Sequence, residues 1–399
     1  MHIVIAEEAL QTGAGHWPSY IGGLAEAFRR AGDSVEVLVH KAAAPGLVER
    51  IGGTARFSRN CWLDPASQGV VGGLRHNFTF EKELKSSLVD REDPADWCLC
   101  LTMRLQHLLA MARLSRSRAI SSRTRFLLLF VQGFGRYNGA GNPVSFPSSP
   151  SIKLARFCFR LMAPAVRAGR VVLAAETRGM QEELGLFTGL PVQLFPHPVP
   201  VPEPGGETSP ESPVVLTAPG FARHEKGTDL LQEAVLRLLA DPEFPPARFV
   251  LQWPEPFRMP DGSQLEPDRT LLDSERVDLV NENLDAAQYE QLLQESSLIL
   301  LPYRRNSYHN RLSRVAIEAA SRGKPLIFMT GTWSGELARL AGTGVPIGDE
   351  TVDALEAAIR RAVRDLPGLS FAARAGASRV SAFHAGNTFR EKLTEVVEK

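Results

Sequence analysis

One stretch constrains this chain more than any other, Leu298 to Phe328, LILLPYRRNSYHNRLSRVAIEAASRGKPLIF. Ser297 to Pro302 is a short apolar run closed by proline, the pattern of a strand buried on both faces. Tyr303 to Asn310 reads as a polar loop. Arg314 to Ser321 then carries helix formers, with apolar Val315, Ile317, Ala319 and Ala320. Gly323 and Lys324-Pro325 end that helix, and Leu326 to Met329 opens another strand. Strand, loop, helix, strand is a parallel crossover. Its loop and helix N-terminus point to the carboxyl end of the sheet, where open α/β sheets bind ligands and free N–H groups receive anions.

The same alternation runs through the chain. His2 to Ala6 is an apolar strand, followed by a loop with Gly13, Gly15 and His16, a helix from Pro18 to about Arg30, and a strand over Ser34 to Val39. The loop lacks the third glycine of a dinucleotide fingerprint. Further strands are expected at Thr54–Ser58, Trp97–Leu101, Arg125–Val131, Val171–Ala174 and Val192–Phe195. Helices are expected at Phe78–Leu88, Thr102 to about Leu114, Ser151–Ala168 and Arg178–Leu184. His197 to Pro213 holds six prolines and a glycine pair, which prevents regular structure and marks a linker. Strands at Val214–Thr217, Arg248–Gln252 and Val277–Val280 and helices at Thr228–Leu239, Ala286–Gln294 and Val352 to about Asp365 follow. A broken helical stretch closes the chain from Phe371 to Glu398.

A chain of 399 residues is long for one α/β core and predicts two domains. Hydrophobic residues make up 44% and charged ones 23%, which excludes a disordered or fibrous class, and zero net charge argues against a nucleic-acid binder. Cys61, Cys98, Cys100 and Cys158 show no C-x-x-C spacing. Cys98 and Cys100 share one strand face, near the limit of a disulfide's reach, so buried reduced thiols in a cytosolic protein are expected. The start MHIVIAEEAL carries two acids where a signal peptide needs a basic end, and no window approaches the roughly 18 apolar residues of a membrane span. Between Leu101 and Met180, thirteen basic residues accompany one acid, Glu176. That run reads either as a solvated face or as a surface for anionic lipid or an anionic acceptor.

Three motifs carry chemistry. In APGFARHEKGTDLL (Ala218–Leu231), Gly220, Arg223 and Lys226 follow a strand and Gly227-Thr228 opens a helix. Two cations at a helix N-terminus would hold a diphosphate; the bland reading is a basic turn. In the Leu298–Phe328 unit, Glu318 would accept hydroxyls of a ribose, or else pair with Arg314 or Arg322 at helical spacing. Arg311 and Ser313 would bind phosphate, or Ser313 would simply cap the helix. In the first loop, His16 with Gly13 and Gly15 would meet a sugar hydroxyl or phosphate, or His16 is structural. No His, Cys and carboxylate set stands at metal-ligand spacing, and no nucleophile elbow appears.

On these residues the chain resembles GT-B fold glycosyltransferases, and is similar to the large retaining family 4. The glycine-rich loop is matched by Gly13 to His16. Gly220, Lys226 and Gly227 match the G-R-x-x-x-x-K-G motif, with Phe221 at the arginine position and Arg223 two residues on. Glu318-Ala319-Ala320, Gly323, Pro325 and Ile327 match the second half of the family signature. Its first glutamate falls on Asn310 and its glycines on Arg311 and Ser313. The resemblance implies an α/β fold of two Rossmann-like domains facing across a cleft, with a C-terminal helix crossing back to the N-terminal domain. The expected boundaries are 1–196 (acceptor side), 197–213 (linker), 214–380 (nucleotide-sugar binding) and 381–399 (returning helix). It implies retaining transfer from a UDP- or GDP-sugar to a glycan or lipid-linked acceptor, with no metal and no cofactor. His16, Arg223 and Lys226 would serve catalysis, and Gly13, Gly15, Gly220, Asn310, Arg311, Ser313 and Glu318 substrate binding. A cytoplasmic location is expected, with peripheral membrane contact through the basic N-terminal half. The competing expectations are a sugar-nucleotide 2-epimerase of the same fold and a non-catalytic sugar-nucleotide binder.

Overall fold

The computed structural model describes residues 1–12, 17–89, 91–139, 144–200 and 213–398. The chain divides into two compact units, Met1–Pro200 with His384–Lys399, and Val201–Phe383. Most of the expected proline-rich linker, 201–212, lies outside the described residues.

The first unit is built on a seven-stranded sheet. Its strands are β1 (His2–Ala6), β2 (Ser34–His40), β3 (Gly53–Phe57), β4 (Trp97–Met103), β5 (Arg125–Phe130), β8 (Val171–Ala175) and β9 (Val192–Leu194), in spatial order β3-β2-β1-β4-β5-β8-β9; β6 (Arg136–Tyr137) and β7 (Val144–Ser145) form a small antiparallel hairpin apart from it. Every pairing in the sheet is parallel, with Ile3 beside Val35 and Trp97. Strand periodicity sorts the side chains onto two faces. Val4, Ala6, Cys98 and Cys100 enter one core with Phe80, Met111 and Phe159, while Ile3, Ile5, Trp97 and Leu99 enter the other with Ile21, Leu24 and Phe28. All four cysteines are buried and free, and Cys98 and Cys100 do share a face.

The last helix, Gly386–Glu398, belongs to this first unit although the chain reaches it from the second. Phe389 is fully buried there, edge-on to Phe28 with ring centres 6.4 Å apart and 4.9 Å from Phe195. Arg390 donates to Asp33 at 2.6 Å. The break in the terminal helical stretch falls at His384-Ala385, after the helix Leu366–Phe383. His384 is buried with Nδ1 3.0 Å from the His197 carbonyl, which ties the break to the end of the first chain passage.

The second unit holds a six-stranded parallel sheet: β10 (Val214–Ala218), β11 (Ala247–Gln252), β14 (Val277–Val280), β15 (Leu298–Leu301), β16 (Leu326–Met329) and β17 (Val345–Ile347), in order β14-β11-β10-β15-β16-β17. A hairpin of β12 (Phe257–Arg258) and β13 (Gln264–Leu265) stands beside it. Leu216, Phe249, Leu298, Leu300 and Ile327 meet Leu231, Val235, Leu355 and Ile359 from the helices Thr228–Ala240 and Val352–Arg364 in one core.

Several elements differ from their expected form. The helix expected at Phe78–Leu88 begins at Gly69, because Gly69, Gly72 and Gly73 hide two helical turns from a propensity reading. Thr102 and Met103 extend β4 instead of opening a helix, which starts at Leu105. Arg305–Tyr308 is a short helix within the expected loop, and the helices Pro45–Ile51 and Ser334–Ala341 and strand β17 were not anticipated.

Candidate functional site

In the second unit, β10 ends at Ala218 and the chain turns through Pro219 and Gly220 into a single helical turn, His224–Lys226. Gly227 then opens the helix Thr228–Ala240 without a side-chain cap, so no side chain competes for its first N–H groups. Two glycines make this turn. Gly220 has φ +83°, and a Cβ there would stand 2.6 Å from the Lys226 ammonium nitrogen. Gly227 has φ +68°, and its Cβ would stand 2.1 Å from the Pro302 carbonyl oxygen. Both need left-handed backbone and close approach, which only glycine supplies cheaply.

The neighbouring strand end holds the turn in place. Arg304 donates its backbone N–H to the Glu225 carbonyl (3.0 Å) and its Nε to the His224 carbonyl (3.1 Å), and its guanidinium pairs with Asp229 and Glu350. Gln252, at the end of β11, accepts the Gly220 N–H at 2.6 Å. The turn is therefore clamped from β15 on one side and β11 on the other. A small cavity is lined here by Gly220, Lys226, Gln252, Trp253, Pro302 and Tyr303.

Three cations converge on this turn. Arg223 Nη1 lies 3.7 Å, and Arg311 Nη1 3.3 Å, from the same oxygen, Glu225 Oε1. Arg311 also lies over the Tyr308 ring at 5.2 Å. Lys226 is half-buried above Gly220, and among the described residues no acceptor or carboxylate partners its ammonium. Burial, with the Arg223 and Arg311 charges beside it, lowers the Lys226 ammonium to about 8; Glu225 offsets this only in part. Three positive groups and one acid are an arrangement that a multiply charged anion would relieve.

The rest of the expected set is distributed as follows. Val315, in the first turn of the Arg314–Ser321 helix, would be 3.8 Å from a Gly220 Cβ, so this helix start borders the same turn. Ser313 is buried and its Oγ accepts the Ala316 N–H at 3.3 Å: it is the helix cap, and that end offers fewer free donors than expected. Glu318 is buried, one turn on from Val315, and accepts from Arg314 Nε at 2.7 Å. Arg322 instead pairs with Glu290. The Glu318 charge, after burial itself, pushes the neighbouring Tyr289 hydroxyl well up. Asn310 is buried beside Arg311. Gly13, Gly15 and His16 lie outside the described residues.

Sequence reasoning did not single out Glu225, Gln252, Arg304 or Tyr308. Their partners stand between 32 and 86 positions away along the chain for Gln252, Arg304 and Glu225, and no local pattern reports such pairs. It also found no His, Cys and carboxylate set. The fold of the first unit assembles one, Glu8, Cys61, His76 and His107, from four separate segments.

The basic run of the first half is partly absorbed by packing. Arg104 donates to the Cys61 carbonyl, Arg113 pairs with Glu81, Arg123 with Asp96, and Arg170 donates to carbonyls of Ser117 and Ile120. On the helix Pro150–Arg167, Lys153, Arg160 and Arg167 stay exposed with Phe157 between them.

No protein-family profile and no curated protein sequence matches the chain. Solved structures do. A sucrose-phosphate synthase from Thermosynechococcus elongatus superposes with a TM-score of 0.64 at 16% identity, over 100% of this chain and 98% of that one. HepE of Anabaena, in complex with UDP, superposes with 0.64 at 14% identity over the whole of both chains. A putative UDP-N-acetylglucosamine 2-epimerase from Listeria monocytogenes superposes with 0.58 at 14% identity over 99% and 95%. The likeness establishes the fold: α/β with parallel sheets in two Rossmann-like units, the GT-B fold class.

Proposed function

We propose that this chain is a glycosyltransferase that takes its sugar from a UDP- or GDP-sugar, resembles retaining family 4, and needs no metal ion at the diphosphate. The observation that carries the reading is the convergence of Arg223, Lys226 and Arg311 on one glycine turn at the carboxyl end of β10. The departing diphosphate would be met there by two guanidiniums, one ammonium and the uncapped N-terminus of the Thr228–Ala240 helix, so the charge a metal would neutralise has protein partners. Glu318, held by Arg314, would receive ribose hydroxyls on its second oxygen. Asn310 and Ser313 would flank the sugar, and His16 with Gly13 and Gly15 would act from the acceptor side, residues 1–196. The likeness to a UDP-bound structure of the same fold supports a nucleotide ligand.

The acceptor we propose is a glycan or lipid-linked molecule met from the cytoplasmic face of a membrane. The exposed Lys153, Arg160 and Arg167 with Phe157 between them support contact with anionic lipid, since cations attract the headgroups and an aromatic ring enters the interface. Among the described residues no helix is long and apolar enough to cross a membrane.

Calorimetric titration with UDP, GDP and their sugars, followed by product analysis with labelled donors, tests the reading. Transfer to water or to an acceptor supports it. Epimer formation, which the Listeria structure makes the second reading, would replace it, and turnover-free binding would make the chain a sensor or carrier. Unchanged nucleotide affinity in both Lys226→Ala and Glu318→Ala would remove the site itself.

A further inference from the structure

The described residues of the first unit hold a second concentration of chemistry, remote from β10 in sequence and opposite in character. Glu8 follows β1, Cys61 follows β3, His76 lies on the helix Gly69–Leu88 and His107 on the helix Leu105–Leu114. All four are buried, Cys61 and His76 completely, and one ligand atom from each lies within 4.8 Å of the others.

The hydrogen bonds around the cluster fix where the protons sit. The Arg104 backbone N–H donates to His107 Nδ1 at 3.1 Å, so that nitrogen bears no proton and Nε2 carries it, 3.2 Å from Glu8 Oε1. Oε1 also accepts the Cys61 N–H at 2.7 Å. His76 differs. Its Nδ1 is 3.0 Å from Ser67 Oγ, and the Ser67 hydroxyl donates to Asp64 at 3.0 Å, so Ser67 is left to accept the Nδ1 proton. In the neutral ring the other nitrogen, Nε2, presents a lone pair 3.0 Å from Glu8 Oε2. Neither of those atoms has a hydrogen-bond partner among the described residues, and His107 Nε2 has none either, although all three are buried. Two lone pairs facing each other in a buried site repel, and an unsatisfied buried polar atom costs about 1–3 kcal/mol. Something positive between them would remove both penalties, and the Cys61 sulfur is positioned to complete its shell.

We propose that Glu8, Cys61 and His76 bind a divalent transition-metal ion of the zinc class. Carboxylate, thiolate and imidazole are the donor types that zinc accepts, and its fourth position is left to a further ligand. His107 is a positioning residue: its Nε2 stands 3.2 Å from Glu8 Oε1, and Ser67 with Asp64 orients His76 in the way that outer hydrogen bonds orient metal-bound histidine. The ion would join three chain segments, the residue after β1, the segment after β3 and the Gly69–Leu88 helix. Its role there is to tie those segments together.

The test is elemental analysis of the full chain purified from zinc-supplemented culture, with refolding from guanidinium in the presence of Co²⁺. One metal per chain and a sulfur-to-cobalt charge-transfer band are expected. Cys61→Ser should lose the band, His76→Gln should lose stoichiometric metal, and His107→Gln should keep the band with affinity about 10- to 100-fold weaker, the usual effect of losing an outer-shell partner. Far-UV circular dichroism checks that each variant folds. A folded wild-type chain with neither metal nor thiolate band would overturn the proposal, leaving a proton on His76 Nε2 to bridge to Glu8. Equal metal content in wild type, Cys61→Ser and His76→Gln would overturn it as well, and the wild-type spectrum decides the matter even where a variant fails to fold.

Discussion

The first strand of each unit ends in a charged turn, and the two turns behave in opposite ways. β1 runs into Glu7-Glu8, which the fold buries completely. Burial pushes the Glu7 carboxyl up to about 8 against the hydrogen bonds from Ala9 and Thr102, while for Glu8 the same burial is outweighed by His107 and His76, which lower it. β10 runs into Arg223 and Lys226, which stay in reach of solvent beside Arg311 with a single shared acid. The same topological position carries buried acids beside histidines in one unit and solvent-reachable cations in excess of acid in the other. Groups that fold for each other stabilise; groups held together against their own repulsion wait for a ligand.

Paired substitutions sharpen that contrast. Glu8→Ala strands two buried histidines and the Cys61 N–H, and should cost about 3–5 kcal/mol in chemical denaturation. Stability close to wild type would mean that the Glu8 carboxylate contributes no net stability to the buried turn. Gly227→Ala combines positive φ with a contact that only backbone movement relieves, and should cost about 2–3 kcal/mol. Gly220→Ala meets only the end of a flexible lysine and should cost about 1–2 kcal/mol while displacing that ammonium. Equal losses in the two glycine variants would contradict the clamp at Pro302.

Lys226→Ala reverses the pattern. Nucleotide affinity should fall about 10- to 100-fold, roughly 1.4–2.8 kcal/mol, with the melting temperature unchanged or raised, because a half-buried cation beside two others is removed. The free ammonium is lowered from its ordinary value to about 8, so the native state binds fewer protons than the unfolded chain between about 8 and 10.5. Stability of the free protein from this group therefore rises with pH across that window, while nucleotide affinity falls once pH passes about 8. Calorimetry from pH 7 to 9.5 should show the decline in wild type and not in Lys226→Ala. The smallest effect is expected for Arg311→Ala. Its side chain is 44% exposed and screened by solvent, so affinity should fall by about fivefold or less, more visibly at low salt.

Much of the architecture was legible because its signals are local. Apolar runs such as Arg125–Phe130 and Leu326–Met329, and the alternation of Ile3, Ile5 with Val4, Ala6, report strands within a few residues. Gly220, Lys226 and Gly227 likewise mark the cation turn within one short span. Glycine masked the start of the Gly69–Leu88 helix, since low propensity there is overridden by packing of the later turns onto the sheet.

What the sequence alone determined is most of the order of strands and helices, the presence of two α/β units, and a basic glycine turn suited to an anion. Tertiary structure decided which charges meet. Arg311 reaches Glu225 across 86 positions, Arg304 reaches His224 across 80, and Glu8 gathers Cys61, His76 and His107 from more than fifty residues away. The physical reason is range: periodicity and turn chemistry act between near neighbours on the chain, whereas charge and hydrogen bonding act between neighbours in space.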